Sequence, residues 1–287
     1  MKNIKNSVVQ KRNGKLKKSE VQNLKISKIG IVARDYRELN GNSDFSKNII
    51  EILDYLDSKG CDSVLFSLFT LLENNSLKIE TLEKFKNIKT VFVEEFEFKE
   101  GERDVSGYKV YNNHENKWRI NKFTQKFGTL RYTKGFYKEV INPFIEEVKE
   151  DRIMGNCVVL LCGETNIVKY SKKTKKIEDT YDFMKQIPST TKIILNPIHD
   201  KMTRFEMKLK RQFLSMNDRI VVSVWNKGKT FTNGQTRDGV NPPWTVYLNG
   251  EEIMINKENI DFQNNNTSKI DVGILDIKEN SEKLIND

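Results

Sequence analysis

A chain of 287 residues, 37% hydrophobic and 10% aromatic, carries enough clustered apolar material for one large folded body or two small ones, which argues against disorder. No apolar run approaches the roughly 20 residues needed to cross a bilayer, and the lysine-rich start lacks the apolar segment of a secretory signal. The net charge of +9 invites a nucleic-acid reading, but residues 1–28 hold nine Lys and Arg against the single Glu20, so the remainder is nearly balanced.

In chain order, residues 1–27 read as a basic leader, solvated rather than a specific binding arm. "KIGIVA" (28–33) reads as a buried strand. "SKNIIEILDYLDSKG" (46–60) reads as a helix with Ile49, Ile50, Leu53 and Leu56 on one stripe and Gly60 as its C-cap. "CDSVLFSLF" (61–69) is a second buried strand. "TVFVEEFEF" (90–98) and "GYKVYNN" (107–113) alternate as strands do. "FYKEVINPFIEEVKED" (136–151) is helical around Pro143, and "NCVVLLC" (156–162) is a continuous apolar strand. A short helix (180–188), a strand "TKIILNP" (191–197) and a helix (204–218) with Phe205, Leu209 and Phe213 at four-residue spacing follow. Strands at 219–226, 243–255 and 269–277 close the fold, and 279–287 is a tail. Strand–helix–strand units point to α/β architecture. Strands apolar on both faces require sheets packed together and covered by helices.

Cys61, Cys157 and Cys162 show neither CxxC nor Cys/His zinc spacing, so free thiols in a reduced cytosolic setting are expected, with no metal or cofactor. Cys162 ends the apolar run "GNCVVLLCGETNIV". A thiol there is either one more small core residue or a nucleophile held at a strand end, where the following turn can aim N–H groups at a substrate oxygen. His114 and His199 are the only histidines, and neither has metal-ligand spacing. His199 in "NPIHD" is either a hydrogen-bonded surface residue or a base paired with Cys162, since its strand should neighbour 156–162. From Lys117 to Lys138 seven cations occur without an acid up to that point, interleaved with Trp118, Phe123, Phe127, Tyr132, Phe136 and Tyr137. Such a mixture suits phosphate contact and base stacking, or a solvated face whose rings pack inward.

The order of segments resembles the nitrilase superfamily of carbon–nitrogen hydrolases from about Lys28 to Ile277. "KIGIVARDYRELNGNSDFSKNIIEILDYLDSKGCDSVLF", "YKVYNNHENKWRINKFTQKFG", "VVLLCGETN", "KIILNPIHD" and "RQFLSMNDRIVVSVWNKG" carry the likeness. The resemblance implies a four-layer α-β-β-α sandwich over 28–278, pairing as a homodimer through its helices. It also implies a cysteine nucleophile (Cys162), an oxyanion-stabilising lysine (Lys122), and Asn196, His199 and Asn226 around the substrate. The substrate would be a small amide or nitrile, attacked to give a thioester or thioimidate.

The family's general-base glutamate follows its second strand, where this chain has Ser67 and Leu68. Glu73 and Glu164 are the acids that remain nearby in sequence, and the family's second acid after the lysine falls on Thr129. Two functions are therefore expected to compete. One is a divergent carbon–nitrogen hydrolase. The other is a catalytically impaired protein that kept the fold and binds an anionic ligand or nucleic acid. A carboxylate reaching the neighbourhood of the Cys162 sulfur favours the first; apolar surroundings favour the second.

Overall fold

In a computed structural model, residues 25–35, 44–100, 102–131, 133–200, 205–230, 236–237, 242–258, 260 and 270–278 are described. The alternating and all-apolar segments form two large sheets. The first contains β1 (Lys28–Arg34), β2 (Ser63–Phe66), β3 (Leu71–Leu72), β4 (Thr90–Lys99), β5 (Glu102–His114), β6 (Lys117–Phe123), β17 (Lys257–Glu258) and β18 (Ile270–Asp276), in the order β17-β18-β1-β2-β4-β5-β6 with β3 beside β4. The second has the order β16-β15-β12-β11-β8-β7, from β7 (Ile153–Met154), β8 (Cys157–Val159), β11 (Ile193–Asp200), β12 (Ile220–Asn226), β15 (Trp244–Leu248) and β16 (Glu251–Ile253). Each sheet has a parallel centre, β1-β2-β4 in one and β8-β11-β12 in the other. Antiparallel strands flank both. Two small antiparallel ribbons stand apart, β9 (Lys169–Ser171) with β10 (Lys176–Glu178) and β13 (Lys229–Thr230) with β14 (Thr236–Arg237).

Strand parity explains the layering, because alternate side chains leave opposite faces. Ile29, Ile31, Leu65, Phe92, Tyr108 and Val110 of the first sheet share one core with Val159, Leu195, Val222 and Val224 of the second. The other face of the first sheet packs on α1 (Ile49–Ser58) and α2 (Ile79–Leu82). The other face of the second packs on α3 (Lys134–Phe136), α4 (Asn142–Glu147), α5 (Phe183–Gln186) and α6 (Phe205–Leu214). The result is helix, sheet, sheet, helix. Asn156 stitches the layers by exchanging two 2.9 Å hydrogen bonds with the backbone of Ile26. At the other end Asn226 receives the Arg34 N–H at 3.3 Å.

Four expectations change in detail. The strand expected over 61–69 stops at Phe66, because the chain turns at Phe69 with φ +55°. The strand expected over 156–162 stops at Val159, and Cys162 opens a 3-10 helix with φ +37°. The helix around Pro143 holds, but π-helical turns at Tyr137–Ile141 and Val148–Arg152 flank it, and Pro143 follows directly on the first of them as the second residue of the α-helical segment Asn142–Glu147. In α6 the inward residues are Met207, Lys210, Arg211 and Leu214, while Phe205 is 66% exposed.

Residues 1–24 of the leader and the 279–287 tail lie outside the described residues. Residues 25–27 do not all face solvent: Ile26 is buried in the inter-sheet core, and Ser27 bonds Asp62. Among the described residues no helix is long and apolar enough to cross a membrane.

Candidate active site

The carboxyl ends of the parallel strands in both sheets converge, and this is where open α/β sheets place ligands. Cys162 follows β8, His199 lies near the end of β11, Asn226 ends β12, and Ser67 to Phe69 follow β2. Cys162 is half-buried at the rim of the inter-sheet core. A non-glycine residue with positive φ is strained by about 1–3 kcal/mol, and such strain concentrates at functional turns.

The turn is fastened from below by Glu164, which is fully buried. Its carboxylate pairs with Arg152 Nη1 at 2.5 Å and accepts the Leu161 N–H at 2.8 Å and the Lys126 N–H at 2.7 Å. Burial pushes this carboxyl above its usual range, against the opposing pull of Arg152 and the two N–H groups. Arg152 spans further to Glu147 at 2.8 Å and to the Thr124 carbonyl at 2.9 Å. The π-helical turn that ends at Arg152 is what delivers this guanidinium. Asn196, also fully buried, donates to the carbonyls of Leu160 (2.7 Å) and Cys162 (3.3 Å) and accepts from Ser223. Gly163 is required because a Cβ there would lie 2.5 Å from the Gly128 carbonyl oxygen.

Above the thiol sits His199. Its Nε2 lies 2.8 Å from Glu94 Oε2, and the Cys162 thiol is near enough to act electrostatically on the ring. Burial opposes a charge on the imidazole, but the hydrogen-bonded Glu94 carboxylate, with the Cys162 thiol near by, outweighs it and pushes the ring up to about 10. Glu94 itself is 1% exposed and also accepts the Phe69 N–H at 2.8 Å. Thiol, imidazole and carboxylate are thus gathered at one place, with the imidazole held by the carboxylate; a thiol, a base and a third group that orients the base are what an activated nucleophile needs. The imidazolium also offers the positive partner that a thiolate needs.

Parity decides what is missing from this group. On β4, Phe92 and Glu94 face the inter-sheet core, whereas Val91, Val93 and Glu95 face outward. On β6, Phe123 faces the core and the adjacent Lys122 faces outward, exposed, across from Lys109 and over Gly107. The expectation that Lys122 stands beside Cys162 is therefore corrected: it lies on the other face of the first sheet. Glu73 is likewise not at the thiol; it is exposed in the 3-10 turn Glu73–Asn75 and accepts from Ser106. Leu68, at the position expected for the base, is fully buried in the apolar core. Glu164 reaches the site as a brace rather than as a base.

Of the three residues expected around substrate, His199 is the one whose ring is electrostatically coupled to the thiol. Asn196 holds the Cys162 turn from behind. Asn226 is almost fully buried, accepts the Ser67 hydroxyl at 2.6 Å and donates to the Leu68 carbonyl at 2.8 Å, so it shapes the loop that carries Phe69. His114 is elsewhere, at a cleft of about 370 Å³ by the start of β2 and β4. Glu94 was not among the expected residues, although an acid in phase with inward Phe92 is a signal that something must pair with it. Among the described residues no three His, Cys, Asp or Glu side chains cluster as a metal site would require. In the basic segment Trp118, Phe123 and Phe127 are buried, so those rings are committed to packing, and Lys126 pairs with Glu147.

No family model and no curated protein matches the sequence. Solved structures of similar chain course include a carbon–nitrogen hydrolase from Helicobacter pylori G27, at 9% identity and TM-score 0.47 over 90% of this chain and 91% of that one. An amidase from Nesterenkonia sp. aligns at 11% identity and TM-score 0.43 over 92% and 97%. The C. elegans NitFhit protein aligns at 10% identity and TM-score 0.47 over 90% of this chain and 63% of that one.

Proposed function

We propose that this chain is a thiol-dependent hydrolase or acyltransferase of a small C–N substrate, an amide or a nitrile, with Cys162 as nucleophile. The observation that carries the reading is the His199–Glu94 pair, 2.8 Å apart, beside the strained turn that presents Cys162. Cys162 Sγ attacks the substrate carbon. For an amide, the C–S bond forms as the carbonyl electrons move to oxygen, and the Gly163 N–H at the head of the 3-10 helix is the donor placed to receive that oxyanion. His199 then gives its proton to the leaving nitrogen as the C–N bond breaks, leaving a thioester. Water attacks next, His199 takes its proton, and the acid departs with the thiolate restored. Glu94 stays ionised and holds the imidazole.

Intact-mass spectrometry after mixing with a panel of simple amides and nitriles tests this. The expected result is an acyl adduct that maps to Cys162 and is absent from Cys162→Ala. Turnover that survives Cys162→Ala would overturn the assignment.

The competing reading, an impaired protein that binds an anion or nucleic acid, draws on Leu68 in place of the expected glutamate and on exposed Lys134 and Lys138. A carboxylate brought to the histidine beside the sulfur favours the enzyme. Pairing of two copies through the outer helices and a cytosolic setting belong to the same proposal; light scattering of the purified chain reads the first.

A further inference from the structure

Phe69 is the most constrained residue near the site. It has φ +55°, a region that a bulky side chain adopts only when its surroundings enforce it. Three contacts enforce it here. Its N–H donates to Glu94 Oε2 at 2.8 Å, its carbonyl accepts from Arg34 Nη2 at 3.1 Å, and its ring lies on the His199 ring with centroids 4.2 Å apart, tilted 40°. Phe96 makes an edge contact with the Phe69 ring, centroids 5.4 Å apart. The turn is built to last: Thr70 Oγ1 donates to the Ser67 carbonyl and receives the Glu94 N–H, both at 2.9 Å, while Asn226 holds Ser67 and Leu68.

We propose that Phe69 is a positioning residue of the site, whose left-handed turn delivers a backbone N–H to Glu94 while its ring fixes the plane of His199. This rests on the Cys162–His199–Glu94 reading. One residue thereby orders the base and the carboxylate that orients it. The ring is a flat lid over an imidazole that becomes cationic, a pairing that favours the charged form. The charged and titratable groups around this pair are Glu94 from β4, with Tyr108 of β5 beside it, Cys162 from the turn after β8 and Arg34 from the end of β1. A glycine at 69 keeps the turn and the N–H but loses the ring; a tyrosine keeps both.

The experiment is the rate of Cys162 alkylation by iodoacetamide against pH, in the full chain. Phe69→Tyr is expected to keep the wild-type profile. Phe69→Gly is expected to slow labelling near neutral pH by roughly tenfold and to move the His199-dependent inflection down toward the ordinary histidine range. An unchanged profile in Phe69→Gly overturns the proposal. His199→Gln run alongside separates the two ideas. If it leaves labelling unchanged, the catalytic reading fails; if it slows labelling while Phe69→Gly does not, only the role of Phe69 fails. Should Phe69→Gly not fold, the wild-type protein still decides: a nuclear Overhauser contact between the Phe69 and His199 rings is expected, and its absence overturns the proposal.

Discussion

His199 Nε2 lies 2.8 Å from Glu94 Oε2, and the two residues come from different sheets. The pair brings a buried carboxylate to the end of β11 that faces Cys162. It also makes the imidazole more basic than in an unfolded chain, with consequences that can be measured.

Cys162 should be the reactive thiol. Cys61 and Cys157 are fully buried, and burial pushes Cys61 up to about 12 and Cys157 up as well. Iodoacetamide near neutral pH, followed by peptide mapping, is expected to modify Cys162 at least about tenfold faster than either. Equal, slow labelling of all three removes the nucleophile.

Removing either member of the pair should cost rate. His199→Gln and Glu94→Gln are each expected to lower turnover by about 10²–10⁴. In Glu94→Gln the imidazole loses its main charge partner, so an NMR titration should find His199 well below its wild-type position. An unmoved titration would mean that Glu94 does not govern the ring.

Stability should depend on pH in a defined direction. The folded-state imidazole is raised from 6.5 to about 10, so the proton is held more tightly in the folded state. The stabilisation is complete below about 6.5 and is lost as pH rises through about 10. Urea unfolding of wild type should therefore weaken across that window more steeply than in His199→Gln. Parallel curves would contradict the pairing.

Lys122→Ala should leave turnover within about twofold, the range of ordinary surface changes. Its outward position on β6 dictates that result. A large drop in kcat would mean that this strand carries its lysine to the thiol in solution.

Arg152→Met should be severely destabilising, by about 3–5 kcal/mol, because it strands the Glu164 carboxylate in the interior. Adding Glu164→Gln should recover part of that loss. Urea denaturation of the two single variants and the double variant reads the coupling directly; strict additivity would show that the pair does not interact.

Much of the frame is legible in the sequence. The apolar runs at 28–33, 156–162 and 219–226 announce the central strands, and "SKNIIEILDYLDSKG" announces α1 with Gly60 in the left-handed conformation past its end. The site is less legible. "VEEFEF" alternates, but nothing local says that Glu94 rather than Glu95 faces a histidine more than a hundred residues away. Lys122 looks right by distance along the chain and is wrong by one step of the pleat. Arg152 gives no local signal, since its role comes from a π-helical turn that aims it at Glu164. Phe69 reads as the end of an apolar strand because a positive φ leaves no mark on a phenylalanine.

The stitching of the two sheets has an implication for how the protein fails. Slipping one sheet past the other by a single residue moves it about 3.3 Å, further than a hydrogen bond tolerates. Such a slip would leave every strand and helix intact yet part His199 from Glu94. Activity in this chain would therefore report the docking of its halves rather than their folding, and mild heat or chaotrope should extinguish it while circular dichroism still sees a native secondary structure.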